Sequence, residues 1–220
     1  MSKVALVAGA SGLIGSCLLA ELVKCGEYDM IKALVRKGTT ISTQGITLLE
    51  VDFDHLDKYR EDLQADAVFC CLGTTMKKAR TREQFYKVDF IYPSVLGQIA
   101  LENHSSQFHL ISSIGANPKS LFYYSRVKGE IEQAISKLPM PNINIYRPSL
   151  LLGKRPEQRT GEQIGALFAK TLAPIILGPA KKYRAIEASV VARAMVKVSL
   201  QKLTGKQIFE SDVISRMGSL

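Results

Sequence analysis

A tyrosine and a lysine four residues apart are the side chains of this chain best suited to moving a proton. Tyr124 and Lys128 begin a segment with a helical pattern, and residues four apart on a helix share one face. A free tyrosine has a pKa of about 10, and a neighbouring ammonium favours its ionised form. Tyr123 lacks such a partner, because Val127 lies four residues beyond it. The spacing predicts Tyr124 as a general acid or base with Lys128 as its electrostatic partner.

A pair of serines comes shortly before that tyrosine. Ser112 and Ser113 end an apolar stretch of strand length, so we expect their hydroxyl groups at the carboxyl end of a strand. There Ser113 can polarise or orient a substrate oxygen by hydrogen bonding. The predicted catalytic set is Ser113, Tyr124 and Lys128. The alternative is an amphipathic helix on which the tyrosine packs and the lysine is solvated.

A glycine-rich turn near the start of the chain is typical of a dinucleotide site. The apolar run at residues 4–8 leads into Gly9, Gly12 and Gly15, and a helical stretch follows. Glycines there allow a sharp reversal, approach of the backbone to a pyrophosphate and close packing of helix on strand. The first N–H groups of the helix favour an anion, although a purely structural turn is the alternative. The predicted pyrophosphate-binding residues are Gly9, Ser11, Gly12, Leu13, Ile14 and Gly15.

Residues after the second and third predicted strands bear on which dinucleotide is bound. Arg36 and Lys37 stand where an NAD-selective protein would place a carboxylate on the adenosine ribose. Arginine can pair with a 2′-phosphate and stack on adenine, so the sequence favours NADP(H), with NAD(H) possible. Asp52 and Phe53 are expected beside the adenine. A surface arginine and a solvated aspartate are the alternatives.

Small residues follow the fourth predicted strand. Leu72, Gly73 and Thr74 would let the backbone lie against the ribose of the cofactor, and we expect them to contact it. An ordinary turn explains the same residues equally well.

Strand-like and helical stretches alternate along the chain. Apolar runs of strand length occur at residues 3–8, 30–35, 46–51, 66–72, 107–113 and 142–147. Helical patterns occur at residues 13–25, 54–63, 81–104, 120–138 and 187–203. Pro93 is expected to kink or break the third of these helices. The alternation predicts an α/β fold, a Rossmann-type doubly wound parallel sheet in a single domain spanning residues 1–220.

The segment at residues 149–185 is rich in glycine, proline and basic residues. Because it follows the sixth predicted strand, we expect it to form a small substrate lid over the carboxyl ends of the strands. Arg155, Arg159 and Arg184 favour an anionic substrate or simply keep the loop soluble. The hydrophobic stretch at residues 166–177 is a candidate interface for a homodimer or a protein partner.

Composition limits the partners and the compartment that we expect. The chain has 220 residues, of which 46% are apolar, and this is enough to bury a full core. Its 29 lysines and arginines outnumber its 20 acids, but they are scattered, so we expect no nucleic-acid partner. No leader and no apolar stretch of membrane-spanning length is recognised in the sequence. We therefore expect no membrane association and a cytoplasmic location.

Several classes of site are disfavoured by the motifs. The four cysteines and three histidines show no metal-ligand spacing, so we expect free thiols in a reducing compartment and no metal site. A serine hydrolase would need a Gly-x-Ser-x-Gly elbow after a strand, and none of the predicted strands is followed by one. A P-loop phosphotransferase would need a Gly-Lys-Ser/Thr ending, which the first turn lacks.

The ordered set of motifs resembles the short-chain dehydrogenase/reductase superfamily. More closely, it is similar to the atypical branch that includes Tat-interacting-protein-like oxidoreductases. The resemblance implies a Rossmann fold, NADP(H) and the roles given above for Ser113 and Tyr124. It also implies that Lys128 holds the nicotinamide ribose and that Pro148 lies near the nicotinamide. Many members carry an asparagine in the central helix where this chain has Val88-Asp89, so a proton relay through that position is not assigned.

The predicted function is that of an NADP(H)-dependent oxidoreductase. It would transfer a hydride to or from a carbonyl or alcohol, its small-molecule substrate. The alternative is a non-catalytic NADP(H)-binding sensor or regulatory scaffold that acts through protein partners, as some members of the atypical branch do. Such a protein needs neither Tyr124 nor Lys128, so their presence favours the enzyme.

Overall fold

Seven parallel strands form the main sheet in the described part of the protein. The computed structural model describes residues 3–41, 44–153, 183–201 and 203–219. Its strands are β1 (Val4–Ala8), β2 (Met30–Val35), β3 (Thr47–Glu50), β4 (Ala67–Cys70), β5 (Gln107–Ile111), β6 (Asn142–Arg147), β7 (Leu151–Leu152), β8 (Ile186–Glu187) and β9 (Gly205–Glu210). The order in the sheet is β3-β2-β1-β4-β5-β6-β9, and β7 and β8 form a separate pair.

Helices cover both faces of this sheet. They are α1 (Leu13–Cys25), a 3-10 helix (Phe53–Tyr59), α2 (Met76–Ala79), α3 (Arg82–Tyr86), a π-helical segment (Lys87–Ile91), α4 (Tyr92–Glu102), α5 (Tyr123–Ile135), α6 (Ala188–Ser199) and α7 (Ser211–Ser219). On one face Leu18 of α1 and Met195 of α6 share a core with Phe69. On the other, Leu96 of α4 and Ile131 of α5 pack in a second core. Burial on both faces explains why the central strands are continuously apolar.

The strand order reverses between β1 and β4. From β1 the chain runs to its neighbour β2 on one side, and β4 pairs with β1 on the other. Connections that leave two adjacent strands in opposite directions open a crevice beyond their carboxyl ends. The glycine-rich turn follows β1 and residues 72–74 follow β4, so both predicted cofactor segments lie at this crevice.

The predicted Rossmann-type doubly wound parallel sheet is confirmed, with differences at the ends of elements. β5 ends at Ile111, so Ser112 and Ser113 lie just beyond the strand. The predicted helix at 54–63 is a 3-10 helix, and the predicted helix at 81–104 is divided into α3, the π-helical segment and α4. Pro93 lies in the first turn of α4, as expected of a residue that cannot donate a helical hydrogen bond.

Most of the predicted lid lies outside the described residues. This applies to residues 154–182, which include Arg155, Arg159 and the hydrophobic stretch at 166–177. The two ends of the segment, residues 149–153 and 183–185, are described, and Leu151 of β7 pairs with Ile186 of β8, the first residue beyond the segment.

None of the described helices is both long enough and apolar enough to span a membrane.

Candidate cofactor and catalytic site

The glycine-rich turn is packed so tightly that two of its positions exclude a side chain. Gly9 has a φ of +82°, and a Cβ built on it would lie 2.5 Å from the carbonyl oxygen of Cys71, beyond β4. A Cβ on Gly15 would lie 2.2 Å from the carbonyl oxygen of Gly9. The first distance shows that the turns after β1 and β4 lie against each other. The second shows that the start of α1 packs directly against the turn after β1.

The start of α1 is suited to an anion. Gly12 is the N-cap residue and supplies no side-chain acceptor, and the first turn contains no acidic residue. The N–H groups of this turn have no partner within the helix, and the helix dipole adds to their positive potential. Ser11 and Gly12 are exposed, whereas Ile14 and Gly15 are buried beneath them. A pyrophosphate therefore fits at the exposed side of this turn.

A surface pocket joins the residues predicted to bind the adenosine end. It has a volume of about 500 Å³. Its lining consists of Arg36, Lys37, Glu50, Val51, Asp52, Phe53, Asp54, Tyr59 and Tyr92. The guanidinium carbon of Arg36 lies 6.0 Å from the centroid of the Phe53 ring, which leaves the exposed guanidinium at the rim. The structure thus brings together the four residues assigned to this end from the sequence.

Two of the three carboxylates that line this pocket, Asp52 and Asp54, have partners of their own. Asp52 contacts the ring of His55 at 2.7 Å, and this contact, helped by the amide of Asp54, holds the pKa of Asp52 below its usual range. Asp54 lies 2.7 Å from Lys87 and accepts a hydrogen bond of 2.6 Å from the hydroxyl of Tyr92. Both contacts lower the pKa of Asp54. The two carboxylates are therefore ionised but locally compensated.

Lys128 forms a buried ion pair with Asp89. The Lys128 Nζ lies 2.8 Å from Asp89 Oδ1, and the two side chains are 6% and 0% exposed. Burial by itself lowers the pKa of Lys128, but the negative charge of Asp89, with a smaller effect of Tyr124, raises it overall. The ammonium therefore stays charged in a place where an unpaired charge would be costly.

The turn after β4 lies against this ion pair. A Cβ built on Gly73 would lie 3.5 Å from Asp89 Oδ1 and 3.6 Å from Lys128 Nζ. The N–H of Thr74 donates to Asp89 Oδ2 at 2.8 Å, and Leu72 is buried beside them. Lys128 is thus brought to the segment that was predicted to contact the cofactor ribose.

Asp89 is the residue of this site whose role the sequence did not reveal. It lies in the π-helical segment, in which the N–H of Tyr92 donates to the carbonyl oxygen of Lys87, five residues back. Pro93 has no N–H to offer the carbonyl of Asp89, four residues back, and this favours the wider turn. The available signal was an acid within the apolar run Val88-Asp89-Phe90-Ile91-Tyr92. A carboxylate at such a position needs a buried partner.

The two adjacent tyrosines of α5 point to different surroundings. The hydroxyl of Tyr123 donates to the carbonyl oxygen of Arg82 at 2.9 Å, and the guanidinium of Arg82 stacks over its ring. Tyr124 is 41% exposed, its ring lies 5.8 Å from that of Phe85, and its hydroxyl acts electrostatically on Lys128. Tyr124 is therefore the more exposed of the two tyrosines.

The serine turn lies between the ends of β5 and β6. The Ser113 hydroxyl donates to the carbonyl oxygen of Ile114 at 3.0 Å, and Ser112 is buried. The N–H of Ile114 donates to the carbonyl oxygen of Pro148 at 3.0 Å, so Pro148 is held next to this turn. Ser113 must rotate its hydroxyl away from the backbone before it can donate to a ligand.

Within the described residues, no group of three or more histidine, cysteine, aspartate or glutamate side chains could hold a metal ion.

The sequence as a whole matches a known family. The family described as "NAD dependent epimerase/dehydratase family" matches residues 5–208. The chain belongs to this family. The rat protein named "Protein HTATIP2" is 32% identical over 222 residues, which cover 99% of this chain and 90% of the relative. This relative agrees with the predicted resemblance to the Tat-interacting-protein-like atypical branch, which is thereby confirmed.

Solved structures of other proteins share the fold of this family member. The Bordetella bronchiseptica enzyme WbmH, in complex with NAD+, superposes with a TM-score of 0.72 at 16% identity, covering 96% of this chain and 76% of that one. UDP-glucose 4-epimerase of Thermotoga maritima, with UDP-glucose, superposes with a TM-score of 0.70 at 15% identity, covering 94% and 76%. At these identities the likeness supports the Rossmann fold alone.

Fungal relatives correct the expected location. "Protein fmp52, mitochondrial" of Emericella nidulans is 30% identical over 94% of this chain and 91% of its own length. The relative of that name in Candida albicans is 29% identical over 91% of this chain and 89% of its own length. The prediction of a cytoplasmic location is therefore wrong on this comparison, since both relatives are named as mitochondrial proteins.

Proposed function

We propose that this family member is an NADP(H)-dependent oxidoreductase that transfers a hydride to or from a carbonyl or alcohol carbon. The observation that carries the proposal is the buried ion pair of Lys128. It sets a charged ammonium against the turn after β4 and one helical turn from the exposed Tyr124. If the tyrosine only packed and the lysine were solvated, the charges of Lys128 and Asp89 would not be buried together.

The described residues fit a dinucleotide. The start of α1, which has no side-chain cap and no acidic residue, suits the pyrophosphate, as do the glycines at which a Cβ would clash. The pocket lined by Arg36 and Phe53 suits the adenosine. The arginine at the rim supports a contact with a 2′-phosphate, and hence NADP(H) over NAD(H). Lys128 would hold the nicotinamide ribose beside Gly73 and Thr74, with Pro148 near the nicotinamide. When bound, the cofactor supplies or takes up the hydride.

The chain's own residues would manage the proton. In the reductive direction the hydroxyl of Tyr124 gives its proton to the substrate oxygen, and the resulting phenolate oxygen of this exposed residue recovers a proton from solvent. Ser113, once its hydroxyl turns from the Ile114 carbonyl, donates a hydrogen bond to the same oxygen. In the oxidative direction Tyr124 accepts the proton from the alcohol.

Replacement of Tyr124 by Phe tests this assignment, and the neighbouring tyrosine provides the control. Tyr124→Phe should retain cofactor binding and lose about 100-fold or more in kcat, because the proton donor is removed. Tyr123→Phe removes a hydroxyl that donates to the carbonyl oxygen of Arg82, so its kcat should stay close to that of the native protein. Both variants are compared by NADPH oxidation on a panel of carbonyls that includes nucleotide sugars. Equal turnover by Tyr124→Phe and the native protein would refute the proposal.

One observation favours a second candidate, an NADP(H)-binding sensor or scaffold. Leu121 and Phe122, immediately before α5, are 95% and 77% exposed, and such apolar side chains are typical of contacts with a partner. This candidate predicts cofactor binding without turnover of any carbonyl in the panel. It also predicts that Leu121→Ser with Phe122→Ser abolishes partner binding and leaves cofactor affinity unchanged.

A further inference from the structure

Asp89 is a buried carboxylate at the point where three elements of the site meet. It belongs to the π-helical segment, its Oδ1 lies 2.8 Å from Lys128 Nζ on α5, and its Oδ2 accepts the N–H of Thr74 in the turn after β4. Each oxygen therefore has a separate task. Oδ1 pairs with the ammonium of Lys128, and Oδ2 fixes the backbone of the turn after β4.

Without Asp89, the buried surroundings of Lys128 would not keep its ammonium charged. Its side chain is 6% exposed, and burial disfavours the charged form of lysine. Three groups act on it within the described residues: Asp89 from the π-helical segment, Tyr124 from its own helix and Cys70 from β4. Burial raises the pKa of the Cys70 thiol to about 12, so this group is neutral. The charge that balances Lys128 is therefore that of Asp89.

We infer that Asp89 is the positioning residue of this site, which keeps Lys128 protonated and joins it to the turn at Thr74. The inference deepens the proposed function and rests on it for the meaning of Lys128. Asp89 itself is buried, and it acts through its two partners, Lys128 and the N–H of Thr74. The site consequently retains its ammonium at alkaline pH, where a buried lysine without a carboxylate would lose the proton.

Substitution by asparagine separates the two tasks of Asp89. Asn has nearly the same shape and can still accept the N–H of Thr74, but it carries no charge. In Asp89→Asn, no carboxylate offsets the burial of Lys128, and the pH at which this lysine titrates should fall by about 2 units or more. Asp89→Ala removes the bond to Thr74 as well. It should therefore weaken NADPH binding at neutral pH several-fold more than Asp89→Asn does.

NMR of the cofactor-free protein with 13C-labelled lysine measures the titration directly, with Lys128→Met to assign the signal. In the native protein Lys128 should titrate above the ordinary lysine range, and in Asp89→Asn below it. The pH dependence of turnover should follow, so that the variant loses kcat at alkaline pH where the native protein keeps it. Glu132→Gln provides the matched control. It removes the carboxylate of another largely buried ion pair on the same helix and should leave the Lys128 titration unchanged.

Two results would overturn the inference. The first is the same titration pH for Lys128 in the native protein and in Asp89→Asn. The second needs no variant and remains available if Asp89→Asn fails to fold, namely a native Lys128 that titrates below the ordinary lysine range. Neither measurement involves turnover, so failure of this inference and failure of the proposed reaction, tested with Tyr124→Phe, are distinguishable.

Discussion

Replacement of Arg36 by Ala should weaken the binding of NADPH and leave that of NADH nearly unchanged. Arg36 stands at the rim of the pocket after β2, and its guanidinium carbon lies 6.0 Å from the centroid of the Phe53 ring. This position suits an arginine that stacks at the adenine and reaches a 2′-phosphate. The phosphate is the group that distinguishes the two cofactors, so their affinities should respond differently.

The magnitude follows from the strength and the exposure of the contact. Hydrogen bonds to charged groups contribute about 1.5–3 kcal/mol, which corresponds to about 10-fold to 150-fold in Kd. Arg36 is exposed, and Lys37 beside it stays in place, so the lower end of this range applies. We expect the Kd of NADPH to rise about tenfold and that of NADH by less than about twofold.

Calorimetric titration of both cofactors at low and at moderate ionic strength measures these values. The loss for NADPH should shrink as salt is added, because salt screens an exposed contact between charges. Arg60→Ala is the control, since Arg60 pairs with Glu102 at 3.0 Å and does not line the pocket. A second variant, Glu50→Gln, removes a carboxylate from the pocket and should favour NADPH. Equal losses of NADPH and NADH in Arg36→Ala would refute the 2′-phosphate contact.

Three further predictions concern the glycine turn and the buried polar groups. Gly15→Ala should abolish cofactor binding in a thermal-shift assay, whereas Gly12→Ala, whose Cβ would lie 3.1 Å from the Gly9 oxygen, should have a milder effect. Burial lowers the pKa of His109 to about 3, so its contribution to stability should be lost as pH falls from about 6.5, by about 1.4 kcal/mol per unit. Urea unfolding of the native protein and of His109→Gln at pH 5 to 7 should show a flatter profile for the variant. Glu132→Gln should reduce the free energy of unfolding by about 3 kcal/mol, because it leaves a partly buried guanidinium with one partner fewer.

The elements that could be predicted from the sequence are those whose signals are local. α1 extends over Leu13–Cys25, as the helical pattern after the glycine turn predicts, and the glycines themselves mark the turn. The strands were located by their continuous apolar runs, which burial on both faces requires. The ends of strands depend also on contacts with neighbouring strands. The predicted strand at 107–113 stops at Ile111, because Ser112 and Ser113 already belong to the turn that bonds to the end of β6.

Partners that lie far apart in the chain could not be predicted in this way. The residues of the adenosine pocket were assigned because each follows a strand, and the strand order brings those ends together. Asp89 follows no strand, and although Pro93 favours the wider helical turn, no local pattern indicates that this turn directs Asp89 toward Lys128. The sequence shows only that an asparagine expected by resemblance is an aspartate. Its consequence for charge depends on a contact across 39 positions of chain, which only the folded protein supplies.

The choice between Tyr123 and Tyr124 depends both on a local sequence pattern and on contacts between distant parts of the chain. Spacing alone favours Tyr124, because Lys128 lies one helical turn beyond it. The fold adds an independent reason, since the hydroxyl of Tyr123 already donates to the Arg82 backbone. It also changes the electrostatic argument: the ammonium near Tyr124 is paired with Asp89, so the phenol faces an ion pair and not a single positive charge. An ion pair produces a weaker field at a neighbouring group than a lone ammonium does, so the fold, and not the spacing alone, sets the electrostatic surroundings of Tyr124.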